Sequence, residues 1–250
     1  MKKLKVAIIG CGRISVCYSD AFLKLSDLME LTYAVDADAQ KAKDFAAAFG
    51  CRYATDISKI YDKGIDVVHI CLPHYLHAGV AIDGMHVLTE KPIALSLKDT
   101  QDMIAVSKET GKNSAAIGFE NGCIYNLYAC NYYGFDSPIN IEICCEKARF
   151  GMIQDMGYTW FGKNYTEYPE VNQTESVGKD YWGTTHVMQL KDFYLSVLND
   201  LPVKVDGNEG LKTLEIVKGI YLSALTHKRI TVPFEDIAIT DTMADELMKV

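Results

Sequence analysis

Gly10, Gly12 and Ser15, in the run KVAIIGCGRIS, stand at the spacing G-x-G-x-x-[small]. The apolar residues Val6, Ala7, Ile8 and Ile9 precede them as a short buried strand, and an apolar-periodic segment follows as a helix. A glycine turn at a helix N-terminus gathers free backbone N–H groups and the positive end of the helix dipole, the chemistry that holds a pyrophosphate. Gly10 permits the tight turn, Gly12 lets phosphates approach the backbone, and the small Ser15 lets helix and strand pack closely. Arg13 and Ile14 complete the turn. A second strand-like segment, Leu31–Val35, ends at Asp36. That acid lies about 24 residues past Gly12, near the roughly 20-residue spacing of an acid that accepts hydrogen bonds from a ribose. Strand, turn, helix, strand and acid together predict a dinucleotide site built on Gly10, Gly12, Arg13, Ile14 and Asp36. An acid placed here accepts from both ribose hydroxyls and repels a 2′-phosphate. No arginine follows it and Asp38 adds a further negative charge, so the expected cofactor is NAD, with NADP second.

His74 and His77 form an H-x-x-H pair. Catalytic zinc takes about three protein ligands, and no third ligand stands nearby, so no metal site is expected. His69 and His86 fall inside strand patterns and read as packed histidines. Eight cysteines are present, none in a C-x-x-C pair and several in apolar runs. In a reducing compartment they read as small buried hydrophobes.

These residues need a scaffold, and the first half supplies an alternating one. Lys5–Ile9, Leu31–Val35, Val67–Cys71, His86–Thr89 and Ser114–Ile117 are strand-like. Ile14–Leu25, Ala39–Phe49, Ile57–Tyr61, Tyr75–Asp83 and Leu97–Thr110 are helix-like. Gly50 sits where a helix-ending glycine belongs, and Ser96 with Asp99 gives a capping-box-like start. Repeated β-α-β predicts a doubly wound parallel sheet with helices on both faces. Ligands of such sheets bind at the carboxyl ends of the strands, which singles out Gly10–Ile14, Asp36, Leu72–His77 and Glu90–Pro92.

The second half changes character. Cys123–Tyr133 and Ile139–Cys145 read as antiparallel strands separated by turn residues. Thr159–Gly178 reads as a loop or irregular strands. His186–Leu198 and Glu209–Leu225 have helical periodicity, Ile230–Pro233 reads as a closing strand, and Thr242–Met248 as a terminal helix. The expected division is residues 1–118 as an α/β Rossmann domain and 119–250 as a smaller α+β domain on an antiparallel sheet.

The 250-residue chain is 49% hydrophobic and 23% charged, ordinary values for a globular protein. A net charge of −8 argues against nucleic acid or an anionic membrane surface as partner. No apolar run approaches the ~20 residues that span a bilayer. The basic start is not followed by a cleavage site, so the expected compartment is the cytoplasm.

IIGCGRIS, Asp36, DVVHICLPHYLH at Asp66–His77 and GMHVLTEKPIALS at Gly84–Ser96 together resemble the glucose–fructose oxidoreductase/inositol dehydrogenase/MocA family. The late stretch HVMQLKDFYLSVLNDLPVKVDGNEGLKTLEIVKGIYLSA is similar to its closing helices. The resemblance implies an NAD(P)-dependent oxidoreductase acting on sugars, polyols or similar molecules. It also implies that Leu72 and Pro73 line the cofactor, with His77 starting the following helix in a structural or supporting role. Glu90, Lys91 and Pro92 match the family's EKP triplet, which implies that Lys91 sits beside the nicotinamide and the reacting carbon. A lysine in a partly desolvated pocket can polarise a hydroxyl or carbonyl oxygen.

The sequence departs from the family in its second half. The family's D-x-G-x-H-x-x-D-like motif, whose histidine partners the EKP lysine, has no counterpart after Gly118. Asp155-Met156-Gly157-Tyr158-Thr159 places threonine where histidine belongs and lies in strand-like surroundings. This pattern reads as an internally shortened second domain. His186 begins a helix, where capping or packing is its ordinary role and replacement acid/base its catalytic one. Tyr181 and Trp182 could border a substrate cleft. Two functions follow: a dehydrogenase, or an NAD(H)-binding protein with little or no turnover. A second copy of the chain is a candidate partner through the second-domain sheet.

Overall fold

A computed structural model describes residues 2–80, 85–91, 93, 96–98, 100, 114–115, 140–154, 156–169, 186–226, 228 and 230–235. The first sheet is parallel and runs β3-β2-β1-β4-β5-β6, the order of a doubly wound dinucleotide-binding sheet. Its strands are β1 (Leu4–Ile9), β2 (Met29–Val35), β3 (Arg52–Ala54), β4 (Val67–Ile70), β5 (His86–Thr89) and β6 (Ser114–Ala115). Central β1 and β4 are buried on both faces, because helices cover both. Val6, Ala7, Ile8, Val67 and Val68 are at most 2% exposed. Three-residue β3 is an edge strand too short to show a period, and the sequence pattern does not reveal it.

The expected helix over Ile14–Leu25 is divided. A 3₁₀ turn spans Ile14–Tyr18 and α1 spans Ser19–Lys24. The Ser15 hydroxyl donates to the Gly12 carbonyl at 2.6 Å and draws in the first turn. Helix α2 (Ala39–Phe49) has Asp38 as its N-cap, accepting from the N–H groups of Gln40 and Lys41 at 3.0 and 3.3 Å. It ends at Gly50 with φ +67°. Ile57–Tyr61 holds only a 3₁₀ turn, Ile57–Lys59. A third 3₁₀ turn, His74–Leu76, leads into α3 (His77–Val80).

The second sheet is an antiparallel meander of β7 (Asn140–Cys144), β8 (Ala148–Ile153), β9 (Met156–Phe161) and β10 (Asn164–Tyr168). Of Thr159–Gly178, expected as a loop or irregular strands, residues 159–161 and 164–168 are regular strand, and residues 170–178 lie outside the described residues. Phe161 pairs with Asn164 across a turn at Gly162, whose φ is +59°. Cross-strand aromatic pairs such as Tyr158–Tyr165 and Trp160–Tyr165 support this hairpin despite its polar composition. Ile230–Pro233 is not a strand; proline supplies no N–H to a ladder. The cysteine reading is corrected in part. Cys17 and Cys71 are buried, but Cys144, at the end of β7, and Cys145, just past it, are exposed. Cys123–Tyr133, Thr242–Met248 and the boundary at Gly118 lie outside the described residues.

Helices α4 (His186–Leu198) and α5 (Gly207–Thr226) follow the expected spans closely. Leu190, Phe193 and Tyr194 of α4 enter the same core as Val6, Ile8, Tyr18 and Phe22. A helix from the second half thus closes one face of the first sheet. Among the described residues, no helix is long and apolar enough to cross a membrane.

Candidate active site

The carboxyl ends of β1, β2, β4 and β5 meet where the strand order reverses. Gly10 ends β1 with φ +96°, and a Cβ there would stand 2.7 Å from the Cys71 carbonyl oxygen. Only glycine allows β1 and β4 to converge so closely. At Gly12 an added Cβ would meet nothing within 4 Å. The turn is therefore open at the place where a pyrophosphate would approach, and the residues present fit such a group. Arg13 is exposed and Ile14 half-buried against the core.

Asp36 is tied to this turn. Its Oδ2 accepts the Cys11 N–H at 2.8 Å and its Oδ1 the Asp38 N–H at 2.8 Å. Each oxygen keeps acceptor capacity for a ribose hydroxyl. Burial, followed by the Asp36 charge and Cys51, pushes the Cys11 thiol up to about 12, so Cys11 stays a neutral thiol in the turn.

Beyond β4, Leu72 is half-buried and Pro73 exposed. His77 is 1% exposed. Its Nε2 is 2.8 Å from the Leu72 carbonyl oxygen, and its Nδ1 is 3.1 Å from Thr89 Oγ1. A carbonyl only accepts, so Nε2 carries a proton. His77 thus joins the Leu72–Pro73 loop to the end of β5. The side chain of His74 lies outside the described set. Among the described residues no group of three or more His, Cys, Asp or Glu is placed to hold a metal ion.

Glu90 follows β5 directly, and its N–H donates to the Ile70 carbonyl at 3.1 Å. The Tyr18 hydroxyl donates to Glu90 Oε1 at 2.5 Å. Lys91 comes next and is exposed. His186, at the start of α4, lies edge-on to Tyr18 with ring centroids 5.7 Å apart. Burial pulls its pKa down, while the Glu90 charge opposes that shift. Tyr18, Glu90 and His186 therefore form one cluster beside Lys91. Sequence reasoning singled out Glu90, Lys91 and His186 but not Tyr18, which falls inside the helix-like run Ile14–Leu25. Pro92, Tyr181 and Trp182 lie outside the described residues.

Residues 4–119 match the GFO_IDH_MocA family model, described as "Oxidoreductase family, NAD-binding Rossmann fold". Over these residues the chain is similar to that family. A 4-carboxy-2-hydroxymuconate-6-semialdehyde dehydrogenase of Sphingobium is 32% identical over 114 residues, 43% of this chain and 36% of the relative. The scyllo-inositol 2-dehydrogenase (NADP(+)) of Bacillus subtilis is also 32% identical over 114 residues, 43% of this chain and 34% of the relative. The chain thus aligns with little more than a third of either relative's length. A levoglucosan dehydrogenase solved with NADH and levoglucosan is 16% identical, with a TM-score of 0.77 over 93% of this chain and 100% of that one. That likeness shows the shared fold, a parallel Rossmann sheet with a separate antiparallel sheet. In this chain the glycine turn, Asp36 and Glu90–Lys91 follow the carboxyl ends of β1, β2 and β5.

Proposed function

We propose that the chain transfers a hydride between NAD and a sugar, polyol or related small molecule. The observation that carries this reading is the open turn at Gly12, with Asp36 held against it by the Cys11 N–H. Gly10–Ile14 would hold the pyrophosphate, Asp36 the adenine-side ribose, and Leu72 and Pro73 the flank of the cofactor. Bound NAD supplies the hydride chemistry. Lys91 acts on the reacting oxygen from the end of β5, and His186 is the candidate acid/base group across from it. The substrate class rests on the similarity to the scyllo-inositol 2-dehydrogenase and the levoglucosan dehydrogenase. Residues 1–118 serve as the nucleotide-binding domain and 119–250 as the substrate and assembly domain. Ile143, Phe150, Met152, Phe161 and Tyr168 share an exposed face of the antiparallel sheet, which supports a homo-oligomer.

The second reading is an NAD(H)-binding protein with little turnover. It is favoured by the sequence, which has no counterpart of the motif's histidine after Gly118; Thr159 of the chance match Asp155–Thr159 is a strand residue, its hydroxyl 3.4 Å from that of Tyr168. Titration with NADH, followed by an oxidation screen over polyols and sugars with NAD, separates the two. Substrate-dependent NADH formation establishes the first reading, and NADH binding without it establishes the second. No NADH binding defeats both.

A further inference from the structure

Tyr18 is 6% exposed and ends the 3₁₀ turn that starts beside the glycine turn. Its ring stacks on Phe22 of α1 with centroids 6.3 Å apart. Its edges meet His69 of β4 at 5.5 Å and His186 of α4 at 5.7 Å. Rings from three elements fix the body of the phenol, and its hydroxyl alone reaches a charged group. A phenylalanine would fill the same space without burying a hydroxyl, which costs free energy unless it is bonded. The bond it makes is to Glu90 Oε1 at 2.5 Å. Burial raises the phenol's pKa, so it remains a donor. A charge-assisted O–H···O bond of this kind is short and strong.

The Glu90 backbone is already anchored on Ile70. Its carboxylate is turned inward to Tyr18, while the next side chain, Lys91, is exposed. Glu90 and Lys91 share one peptide, and Lys91 lies in the bend that follows β5, so anchoring the Glu90 side chain limits the directions open to Lys91. We propose that Tyr18 is a positioning residue, which holds the Glu90 carboxylate inward and thereby fixes where the Lys91 amine stands against a bound dinucleotide. The proposal rests on the reading of Lys91 as the residue beside the cofactor. It gives the helix after the glycine turn a second task, coupling the phosphate end of the site to its reacting end.

The test uses NADH as probe and needs no turnover. Acetylation of Lys91 by acetic anhydride is followed by peptide mass spectrometry, with and without NADH, and exposed Lys147 serves as internal control. In the parent, NADH slows Lys91 acetylation severalfold and leaves Lys147 unchanged. Tyr18→Phe keeps NADH affinity and melting temperature close to the parent's but loses this protection. Glu90→Gln, whose amide oxygen still accepts from Tyr18, retains it. Glu90→Ala, which leaves the phenol packing in place, loses it and decides the matter should Tyr18→Phe not fold. Undiminished protection in Tyr18→Phe or in Glu90→Ala overturns the proposal, as does loss of NADH binding by folded Tyr18→Phe. A parent that binds NADH without protecting Lys91 overturns the underlying reading of Lys91, and the proposal with it.

Discussion

The Tyr194 hydroxyl of α4 lies 2.8 Å from Nε2 of His69 in β4, and both residues are buried. This pair fastens the second half of the chain to the first sheet. His69 Nδ1 has no hydrogen-bond partner among the described residues. Burial pushes the His69 pKa down to about 3, so the folded ring is neutral, whereas an unfolded histidine takes up its proton below about 6.5. The unfolded state therefore binds the extra proton between these values. The neutral ring is fully accommodated above about pH 6.5, and stability falls as pH drops toward 3, by up to about 1.4 kcal/mol per pH unit. Denaturant unfolding from pH 7 to 4.5 checks this against the double variant His69→Leu/Tyr194→Phe. The parent should lose stability relative to the double variant as pH falls, and a constant difference contradicts the assignment. Tyr194→Phe alone leaves Nε2 unpaired and should cost about 1–3 kcal/mol at pH 7.

Gly10 and Gly12 should respond oppositely to alanine. At Gly10 the methyl meets the Cys71 carbonyl and the φ of +96° is unsuited to a side chain. Gly10→Ala should lose roughly 2–5 kcal/mol of stability from strain and overpacking together. At Gly12 the methyl meets no protein atom within 4 Å, so Gly12→Ala should melt near the parent temperature while its NADH affinity collapses. Melting curves and NADH titration read the two effects separately. A Gly12→Ala protein that binds NADH normally would remove the pyrophosphate from this turn.

How far the chain could be read before folding depended on the range of each signal. The β1–Gly10–Gly12–Asp36 unit was legible because every part is local: an apolar run, a turn chemistry and a helix start. Helices α4 and α5 were legible by period. The β9–β10 hairpin was not, since Asn164–Tyr168 is polar and its support lies in cross-strand pairs. The Tyr18–Glu90 bond joins residues 72 apart and the Tyr194–His69 bond residues 125 apart. No local pattern encodes such distances, so the candidate lysine could be picked out while the tyrosine beside it could not.

Asp36 should make NADH bind more tightly than NADPH. Its two oxygens are oriented by Cys11 and Asp38 rather than free to turn away, and a 2′-phosphate would meet a fixed negative charge. A hydrogen bond to a charged group is worth about 1.5–3 kcal/mol, so a preference of about 10- to 100-fold is expected. Asp36→Asn, which keeps one acceptor and removes the charge, should narrow it. Direct titration with both reduced cofactors measures the ratio; tighter binding of NADPH by the parent would sink the claim.

Lys91 should matter for chemistry and little for cofactor binding. The pyrophosphate and ribose are assigned to Gly10–Ile14 and Asp36, which are built by β1 and β2, whereas Lys91 stands past β5 and is exposed. Removing its side chain leaves no buried cavity and breaks none of the bonds that hold the glycine turn. Lys91→Ala should therefore fold and bind NADH within a small factor of the parent. Hydride transfer from an alcohol requires a group to take the hydroxyl proton as the carbonyl forms. General acid–base assistance of that kind contributes about 10²–10⁴-fold, which is the loss expected in whatever oxidation the NAD-linked screen uncovers. His186 provides the contrast, because it packs edge-on against Tyr18 and is half-buried at a helix start. If His186→Ala carries the whole loss while Lys91→Ala retains parental turnover, the reacting oxygen lies under α4 and not at the end of β5.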